Sequence, residues 1–393
     1  MILEYIHADN SKEVVSIDLS IEITQEYKYL QASNKKEFIQ NFLPAFLSGQ
    51  KLVLFDEKHQ QLIDFYTKTD INTIEGIKDI EAQILFFTSG SSGFPLGAFK
   101  SRENILQEIE VLKNLLKKKK INKIIVTVPF MHIYGILAGL LLPFYLQDIT
   151  LVVKEDFLPY ELLDEIASEE CLIITTPVFI KALAKLNTEI DLSSSMFISS
   201  TGPLQSDDVH RVQTKYNTSV MQLFGSTETG GIAYKFGVTT KWRTLDKVKI
   251  RVDNERLSVE SPFVSLYTLE GQIQSLGVPF LTEDIIELDS NTFTLLGRSN
   301  KLIKIAGKRI SALAIESILE EMPEVRKAVI CIVYKKDLLR SEQILITLEA
   351  SEEIKKSLIR QKIKECYGTL SIPFSVEYIE KINLSSMGKK IIF

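Results

Sequence analysis

Between residues 84 and 223, short apolar runs alternate with amphipathic helical patterns. Strands separated by helices form βαβ units and a mainly parallel sheet. One face of the first predicted helix carries Ile105, Ile109, Leu112 and Leu116 at three- and four-residue spacing, which predicts packing against the core. The predicted strands are 84–88, 124–128, 149–153, 172–175, 196–199 and 220–223, and the predicted helices are 102–118, a segment from about 134, 160–168, 178–186 and 207–216.

The pattern changes after Trp242, where short β-rich segments at 247–252, 257–259 and 285–288 predict a small β lobe. A third pattern follows and predicts a compact α+β domain of about 95 residues, at the low end of independent domain sizes. Its predicted elements are strand 303–305, helix 312–322, strands 327–333 and 344–348, helix 352–367 and strand 374–378.

Composition excludes several classes of protein. The net charge of −5 argues against a nucleic-acid partner, which calls for a basic face. Three cysteines that lie far apart in sequence suggest neither a disulfide framework nor a metal site. The longest apolar run, 133–146, falls short of the ~20 residues that cross a bilayer, and the first residues lack the features of a signal peptide. We therefore expect a cytoplasmic protein with no membrane span.

A loop rich in glycine and hydroxyl groups follows the first predicted strand. It reads Thr88-Ser-Gly-Ser-Ser-Gly93, and such a loop suits a phosphate because glycine backbone N–H groups approach an anion closely and hydroxyls add donors. It is not a Walker A loop, since no Gly-Lys-Ser/Thr follows at the required spacing. Taken alone, the segment also fits an ordinary surface turn.

Three further loops follow predicted strands and carry unusual chemistry. The segment 129–135 contains His132, 200–204 contains Gly202 and Pro203, and 223–232 contains Phe224, Gly225, Ser226, Thr227 and Glu228. In doubly wound sheets, ligands bind beyond the carboxyl ends of the strands, where we expect the glycine loop and these three loops to converge. An aromatic ring can stack on a base, a hydroxyl can bind phosphate, and a carboxylate can hold Mg²⁺.

Each of these features also has a structural interpretation. His132 fits a hydrogen-bonded core histidine, and 200–204 fits a helix-initiating turn. Later in the chain, Asp284 and Arg298 fit a surface ion pair, and Lys389 fits a terminal tail.

In their order along the chain, six segments together resemble the adenylate-forming superfamily of acyl-CoA synthetases, aryl-CoA ligases, luciferases and adenylation domains. The segments are 84–97, 129–135, 200–204, 223–232, Asp284 with 296–309, and 385–389, so the resemblance extends over about residues 80 to 393. Residues 225–234 and 295–311 look most like short acyl-CoA synthetase-like proteins of bacterial aryl-polyene and fatty-acid-like gene clusters.

The resemblance implies ATP-dependent activation of a small carboxylic acid, aryl or fatty, through an acyl-adenylate. Transfer to a thiol follows, with coenzyme A or the phosphopantetheine of an acyl carrier protein as acceptor. The implied fold is a large N-terminal domain with mainly parallel sheets and a small β lobe, residues 1–298, followed by a mobile α+β lid domain, residues 299–393. The implied hinge is Asn300.

The resemblance also implies an ATP site. The 88–93 loop would hold the β- and γ-phosphates, Phe224 would stack on adenine opposite Gly202 and Pro203, and Asp284 would bind ribose with support from Arg298. The implied ATP-binding residues are Thr88, Ser89, Gly90, Ser91, Ser92, Gly93, Gly202, Pro203, Phe224, Gly225, Ser226, Asp284 and Arg298.

Catalytic roles are implied for four residues. Thr227 would contact the α-phosphate, Glu228 would bind Mg²⁺, and Lys389 would bridge the acyl carboxylate and the α-phosphate, where a cation stabilises charge on both reacting groups. His132 would stand at the gate of the acyl pocket, which favours an acid without an α-amine. For the thiol step, Gly307 would leave room for the pantetheine arm and Lys304 would belong to the same face.

Two departures from the family pattern bear on activity. Leu96 stands where a phosphate-facing lysine is usual, a loss of about 1.5–3 kcal/mol or about one to two decades in rate. The sequence leaves open whether Lys100, four residues on, replaces it. About 80 residues precede the glycine loop, so we expect a shortened N-terminal subdomain. Two alternatives to the ligase therefore remain: a catalytically weakened nucleotide-binding subunit of a biosynthetic complex, and an adenylate-forming enzyme that makes no thioester.

Overall fold

A computed structural model of the protein describes residues 1–55, 68–89, 95–146, 148–166, 169–299, 302–305, 308–334, 342–367, 374–384 and 390. The chain divides into two compact units. The first contains Met1–Arg251 and Ser258–Leu281, and the second contains Val252–Leu257 and the described residues from 282 to 384 together with Lys390. The division predicted between residues 298 and 299 stays a prediction.

Most strands of the first unit precede residue 245, and two more follow residue 266. The early strands are β1 Ile2–Ile6, β2 Lys12–Val15, β3 Lys28–Tyr29, β4 Leu52–Leu54, β5 Ile84–Ser89, β6 Pro95–Lys100, β7 Lys123–Val126, β8 Thr150–Lys154, β9 Cys171–Thr175, β10 Met196–Ser199, β11 Ser219–Ser226, β12 Gly230–Phe236 and β13 Lys241–Thr244, and the later ones are β16 Tyr267–Glu270 and β17 Gln272–Ser275. Between them, β14 Lys249–Asp253 and β15 Arg256–Glu260 each have residues in both units.

Helices connect most of these strands. They are α1 Lys35–Ser48, α2 Arg102–Leu116, a π-helix Gly135–Leu141 that continues as α3 Leu142–Tyr145, α4 Pro159–Ile166, α5 Pro177–Lys185 and α6 Ser206–Tyr216, with 3₁₀ turns at Ile71–Thr73 and Ile77–Asp79.

The larger sheet of the first unit is mainly parallel. Strands β11, β10, β9, β7, β8 and β1 are neighbours in that order, and each adjacent pair is parallel. Antiparallel β12 and β13 extend one edge, and antiparallel β2 extends the other. The carboxyl ends of β7, β9, β10 and β11 therefore lie along the same edge, as predicted for three of the candidate loops.

Strand β5, which precedes the glycine loop, belongs to a second sheet, in the order β17, β16, β6, β5, β4, β3, so the prediction that this strand lies in the same sheet as those before the other three loops is wrong. Strands β3, β4 and β5 are parallel, whereas β5, β6, β16 and β17 pair antiparallel. The sequence predicted a strand, the loop and then a helix. The structure instead inserts β6, which pairs with β5 from Ser89↔Pro95 to Ile84↔Lys100 before α2 begins.

Two hydrophobic layers cover the larger sheet. Along β7, Ile124 and Val126 belong to one core and Ile125 to the other, because successive strand residues point to opposite faces. The first core also contains residues of α1, α2, the π-helix and β5, so these helices lie between the two sheets. Helices α4, α5 and α6 contribute to the second core on the opposite face.

The second unit is α+β, as predicted for the end of the chain. Its elements are β18 Phe280–Asp289, β19 Thr292–Arg298, β20 Leu302–Ile305, β21 Lys308–Ser311, α7 Ala312–Glu320, β22 Val325–Tyr334, β23 Glu342–Ala350, α8 Lys356–Tyr367 and β24 Phe374–Tyr378. Strand β23 pairs antiparallel with β22 and parallel with β24. Residues of α7, α8 and these strands form one hydrophobic core. In the part of the chain that the structure describes, no helix combines the length and apolar character needed to cross a membrane.

Candidate active site

A tight turn between β11 and β12 presents Thr227 and Glu228. Two reciprocal hydrogen bonds between the flanking residues fix the turn. The Ser226 N–H donates to Thr229 Oγ1 at 3.0 Å, and the Thr229 N–H donates to Ser226 Oγ at 3.2 Å. Thr229 Oγ1 also donates to the Gly230 carbonyl at 2.8 Å and is fully buried. Thr227 and Glu228 are half-buried at the tip. The sequence identified the two presented residues but missed Thr229, which holds them in place.

Glycine is required where the two strands of this hairpin meet. A Cβ on Gly225 would lie 2.2 Å from the Gly230 carbonyl oxygen, well inside contact distance. Gly230 has a φ of +68°, in the left-handed region that favours glycine. The glycines of this segment thus serve the close approach of two backbones, and their backbone conformation fixes the shape of the turn.

Beneath the turn lie two buried residues of opposite charge, Lys100 and Glu108, whose role the sequence did not predict. Lys100, at the end of β6, is 1% exposed, and its Nζ donates to the carbonyl oxygens of Glu228 at 3.0 Å and Phe263 at 2.5 Å. Glu108, in α2, accepts the Gly231 N–H at 2.8 Å. Burial lowers the pKa of Lys100 and raises the pKa of Glu108, while their mutual attraction opposes both shifts. Lys100 therefore faces the interior and does not replace the lysine missing at Leu96.

One signal in the sequence pointed to this pair. Glu108 stands within the apolar stripe of α2, next to Ile105 and Ile109 in the predicted core-facing pattern. A charged residue on a core-facing stripe needs a partner inside the protein, because an unpaired buried charge is very costly.

Phe224, predicted to stack on adenine, lies beside a second aromatic residue. Its ring centroid is 5.5 Å from that of Trp242 on β13, and Lys235 Nζ stands 4.7 Å from the Trp242 ring centroid. Burial lowers the pKa of Lys235. Trp242 and Lys235 were not predicted, although the single tryptophan of the chain was an available signal.

The loop after β10 lies next to the β11–β12 turn, because β10 and β11 are adjacent and parallel. Ser200 Oγ donates to the Leu223 carbonyl at 3.0 Å and ties the two strand ends together. Gly202 and Pro203 are exposed, and a Cβ on Gly202 would make only ordinary contact with Pro177 at 3.9 Å. The positive φ of this turn, +84°, falls on Thr201, a β-branched residue for which that conformation is an outlier.

The loop after β7 contains His132, which is half-buried. Two residues later, Tyr134 donates its hydroxyl to the carbonyls of Ile198 at 2.8 Å and Thr175 at 3.2 Å. Burial raises the pKa of Tyr134, so its hydroxyl remains a donor. A Cβ on Gly135 would lie 2.1 Å from the Pro129 carbonyl oxygen. Tyr134, which the sequence did not single out, therefore joins the ends of β9 and β10 to the His132 segment.

In the second unit, Asp284 and Arg298 face each other across the β18–β19 hairpin. They are register partners, and Arg298 Nε lies 3.8 Å from Asp284 Oδ1. The Arg298 side chain is 48% exposed and that of Asp284 is 16% exposed. The structure thus brings together the two residues predicted to hold ribose.

The sequence matches the AMP-binding enzyme family over residues 49–262, more than half of the chain. The chain belongs to this family. It is 23% identical to a 4-coumarate–CoA ligase of Cereibacter sphaeroides over 64% of this chain, and it spans 56% of that ligase. It is also 23% identical to a provisionally named long chain fatty acid-CoA ligase, VraA, of Staphylococcus aureus, over 84% of this chain and 78% of VraA.

The fold of this AMP-binding family member also matches a solved structure. The o-succinylbenzoate coenzyme A synthetase MenE of Bacillus subtilis, solved with ATP and a magnesium ion, superposes with a TM-score of 0.78 at 16% identity. The match covers 99% of this chain and 95% of MenE. The predicted family and fold class, a large α/β domain with a smaller C-terminal domain, are confirmed.

The turn of the AMP-binding domain fits a magnesium ion bound together with a nucleotide. Among the residues described, no group of three or more His, Cys, Asp or Glu side chains could hold a metal ion on its own. Magnesium commonly binds through one or two carboxylates and the phosphates of its substrate. A half-buried Glu228 carboxylate beside the Thr227 hydroxyl suits that mode.

Several predicted site residues lie outside the described part of the structure. Thr88 and Ser89 end β5, and Lys304 lies in β20, where the structure describes the backbone alone. Gly90, Ser91, Ser92, Gly93, Asn300, Gly307 and Lys389 lie outside the described residues. The roles assigned to all site residues stay predictions.

Proposed function

We propose that the protein activates a carboxylic acid with ATP and passes the acyl group to a thiol. In the first step a carboxylate oxygen attacks the α-phosphorus, and the bond to the leaving pyrophosphate breaks. In the second, the thiol sulfur attacks the acyl carbonyl and AMP leaves. The observation that carries the proposal is the locked turn between Ser226 and Thr229, which presents a hydroxyl and a carboxylate beside the loop after β10.

The residues of this turn bind and orient the nucleotide. Thr227 donates to the α-phosphate, and Glu228 holds Mg²⁺, which offsets charge on the phosphate oxygens. Phe224 stacks on adenine, with Gly202 and Pro203 opposite. Support comes from Phe224 and the Gly202 loop lying at neighbouring strand ends of one sheet.

Residues of the other segments complete the proposed site. The Thr88–Gly93 loop binds the β- and γ-phosphates, and Asp284 with Arg298 binds ribose. Lys389 bridges the two reacting groups until the C-terminal domain turns about Asn300, after which the face with Lys304 and Gly307 admits the pantetheine arm. Such movements gate successive steps in many enzymes.

The acid we propose is an aryl or fatty acid without an α-amine, with His132 at the gate of the acyl pocket. The acceptor is coenzyme A or the phosphopantetheine of an acyl carrier protein. The names of the similar ligases, for 4-coumarate and for long chain fatty acids, support both classes of acid.

Pyrophosphate exchange into ATP tests the first step. With a panel of aryl, fatty and hydroxy acids, exchange should depend on the acid and should collapse in Glu228→Ala and Lys389→Ala. Glu75→Ala and Lys381→Ala remove the same charges from exposed positions and should exchange like the unaltered protein. Thioester formation with coenzyme A or a holo carrier protein then tests the second step. Retained thioester formation in Gly307→Leu would contradict the proposed path for pantetheine.

One observation favours a second candidate function, a nucleotide-binding subunit with weakened catalysis. Leu96 pairs with Thr88 at the mouth of the glycine loop, and Lys100, the next cation along β6, is held in the interior. Neither residue supplies a cation to the triphosphate. Tight ATP binding without exchange for any acid would support this function and exclude the ligase.

A further inference from the structure

The carbonyl of Glu228 is held from two directions by buried groups. Lys100 Nζ donates to it at 3.0 Å, and the Ser265 N–H donates at 2.8 Å. Lys100 simultaneously donates to the Phe263 carbonyl at 2.5 Å, so a single ammonium group binds the β11–β12 turn to the segment around Phe263. The main chain of the residue assigned to Mg²⁺ is thus hydrogen-bonded directly to a fully buried cation.

The other side of the same turn rests on Glu108. Its Oε1 accepts the Gly231 N–H at 2.8 Å, and a Cβ on Gly230 would come within 2.5 Å of its Oε2. The carboxylate therefore lies directly against the backbone of Gly230 and Gly231. Charge-assisted hydrogen bonds of this kind are stronger than neutral ones and favour one geometry.

Asn104 completes the contact between the start of α2 and this part of the unit. Its Nδ2 donates to the Pro262 carbonyl at 2.6 Å, while its Oδ1 and backbone cap α2 with Ser101. Lys100, Asn104 and Glu108 follow one another at four-residue intervals and all bind main-chain groups of the two segments. Apolar residues would fill the same volume without the desolvation cost that two buried charges carry.

We propose that Lys100 and Glu108 are positioning residues that hold the Ser226–Thr229 turn in the conformation that binds MgATP through Thr227 and Glu228. This inference rests on the proposed function. Neither side chain touches the nucleotide in it, since both act through the backbone of Glu228 and Gly231.

The test compares Lys100→Met with the double variant Lys100→Met/Glu108→Gln, which removes both charges and keeps an oxygen acceptor for Gly231. Acid-dependent exchange is measured against free Mg²⁺ and against MgATP. We expect the Mg²⁺ concentration for half-maximal exchange to rise roughly tenfold in both variants, as for the loss of one charge-assisted hydrogen bond. At saturating Mg²⁺ the rate should return to within about twofold of the unaltered value, because the reacting groups are untouched.

The matched control is Lys154→Met. Lys154 is also a buried lysine, but it hydrogen-bonds Asn10 and forms an ion pair with Glu161. Its loss should lower the unfolding temperature and leave the Mg²⁺ requirement unchanged. If Lys100 had only a structural role, its loss would likewise lower the unfolding temperature and leave the Mg²⁺ requirement unchanged. An unchanged Mg²⁺ requirement in the folded double variant therefore overturns the proposal. Failure of the double variant to fold overturns it as well, since the pair would then serve folding.

Amide hydrogen exchange tests the positioning role of Lys100 and Glu108 without an activity measurement. In the double variant, peptides covering 226–232 should exchange faster than in the unaltered protein, whereas those covering β9 should not change. If the unaltered protein shows no pyrophosphate exchange with any acid, the proposed function fails while this measurement still tests the positioning role. Equal exchange at 226–232 in both proteins contradicts it.

Discussion

Two antiparallel hairpins carry residues assigned to the nucleotide, and they hold those residues in opposite ways. Between β11 and β12, the turn with Glu228 is bound from below by the buried pair Lys100 and Glu108. Across β18 and β19, Asp284 meets an Arg298 side chain that is 48% exposed, at 3.8 Å. The first hairpin is supported by charged groups in the interior, and the second pairs a largely buried Asp284 side chain with an Arg298 side chain that reaches solvent.

Because of this difference, substitutions in the two hairpins should differ in their effects on stability and on ligand binding. Removing one member of a buried pair leaves an uncompensated charge in the interior, whereas an exposed pair contributes about 0–1 kcal/mol. Substitutions beneath the β11–β12 turn should therefore disturb both the fold and the site. Substitutions on the β18–β19 hairpin should affect ligand binding with little cost to the fold.

The largest effect is expected for Lys100→Met. The free energy of unfolding should fall by about 3–5 kcal/mol, because Glu108 is left buried without its partner. Adding Glu108→Gln should restore much of the loss, since no buried charge remains. Urea denaturation of the single and double variants measures both values. A double variant less stable than the single variant would show that the two charges are not coupled.

Gly225→Ala comes next. The added methyl would lie 2.2 Å from the Gly230 carbonyl oxygen, so the hairpin must open, at a cost of about 2–3 kcal/mol in unfolding free energy. Gly277→Ala is the control, because a Cβ there meets nothing within 4 Å. Thermal unfolding of the two variants checks the prediction, and equal melting temperatures would disprove it.

A smaller effect concerns pH. Burial raises the folded-state pKa of Glu108 above its ordinary value of 4.5, so above that pH the group is protonated in a larger fraction of native molecules than of unfolded chains. Between about pH 4.5 and neutrality, wild-type stability should therefore fall with rising pH relative to Glu108→Gln, by on the order of 1 kcal/mol. Unfolding free energies of both proteins at pH 5 and pH 7 measure the difference. A stability difference, wild type minus Glu108→Gln, that stays constant or increases from pH 5 to pH 7 contradicts the prediction.

The same two hairpins show how far sequence reasoning reaches. Thr227, Glu228, Asp284 and Arg298 were identified from motifs, and the parallel sheet followed from alternating strand and helix patterns. Motifs find residues that face the ligand because their chemistry is specific. The spacing of apolar residues in the sequence also located β24 and most helices within a few residues, because apolar periodicity directly reflects burial.

What the sequence did not yield depends on distant contacts. Lys100 and Glu108 bind the backbone of residues more than 100 positions away, and a backbone donor or acceptor leaves no trace in side-chain identity. Strand β6 was missed because its residues, Pro95-Leu-Gly-Ala-Phe-Lys100, include proline and glycine, which strands disfavour. It forms because β5 and β16 pair with it on both sides.

The smallest change in stability is expected for Arg298→Ala, which should shift the unfolding free energy by less than about 1 kcal/mol. If Arg298 supports the ribose contact of Asp284, the KM for ATP should nevertheless rise about tenfold in pyrophosphate exchange. Lys362→Ala is the matched control, because Lys362 lies 3.7 Å from Glu321 in a partly exposed pair with no assigned role. The control should change neither quantity. A marked loss of stability in Arg298→Ala would erase the contrast between the hairpins, and an unchanged KM would remove Arg298 from the proposed site.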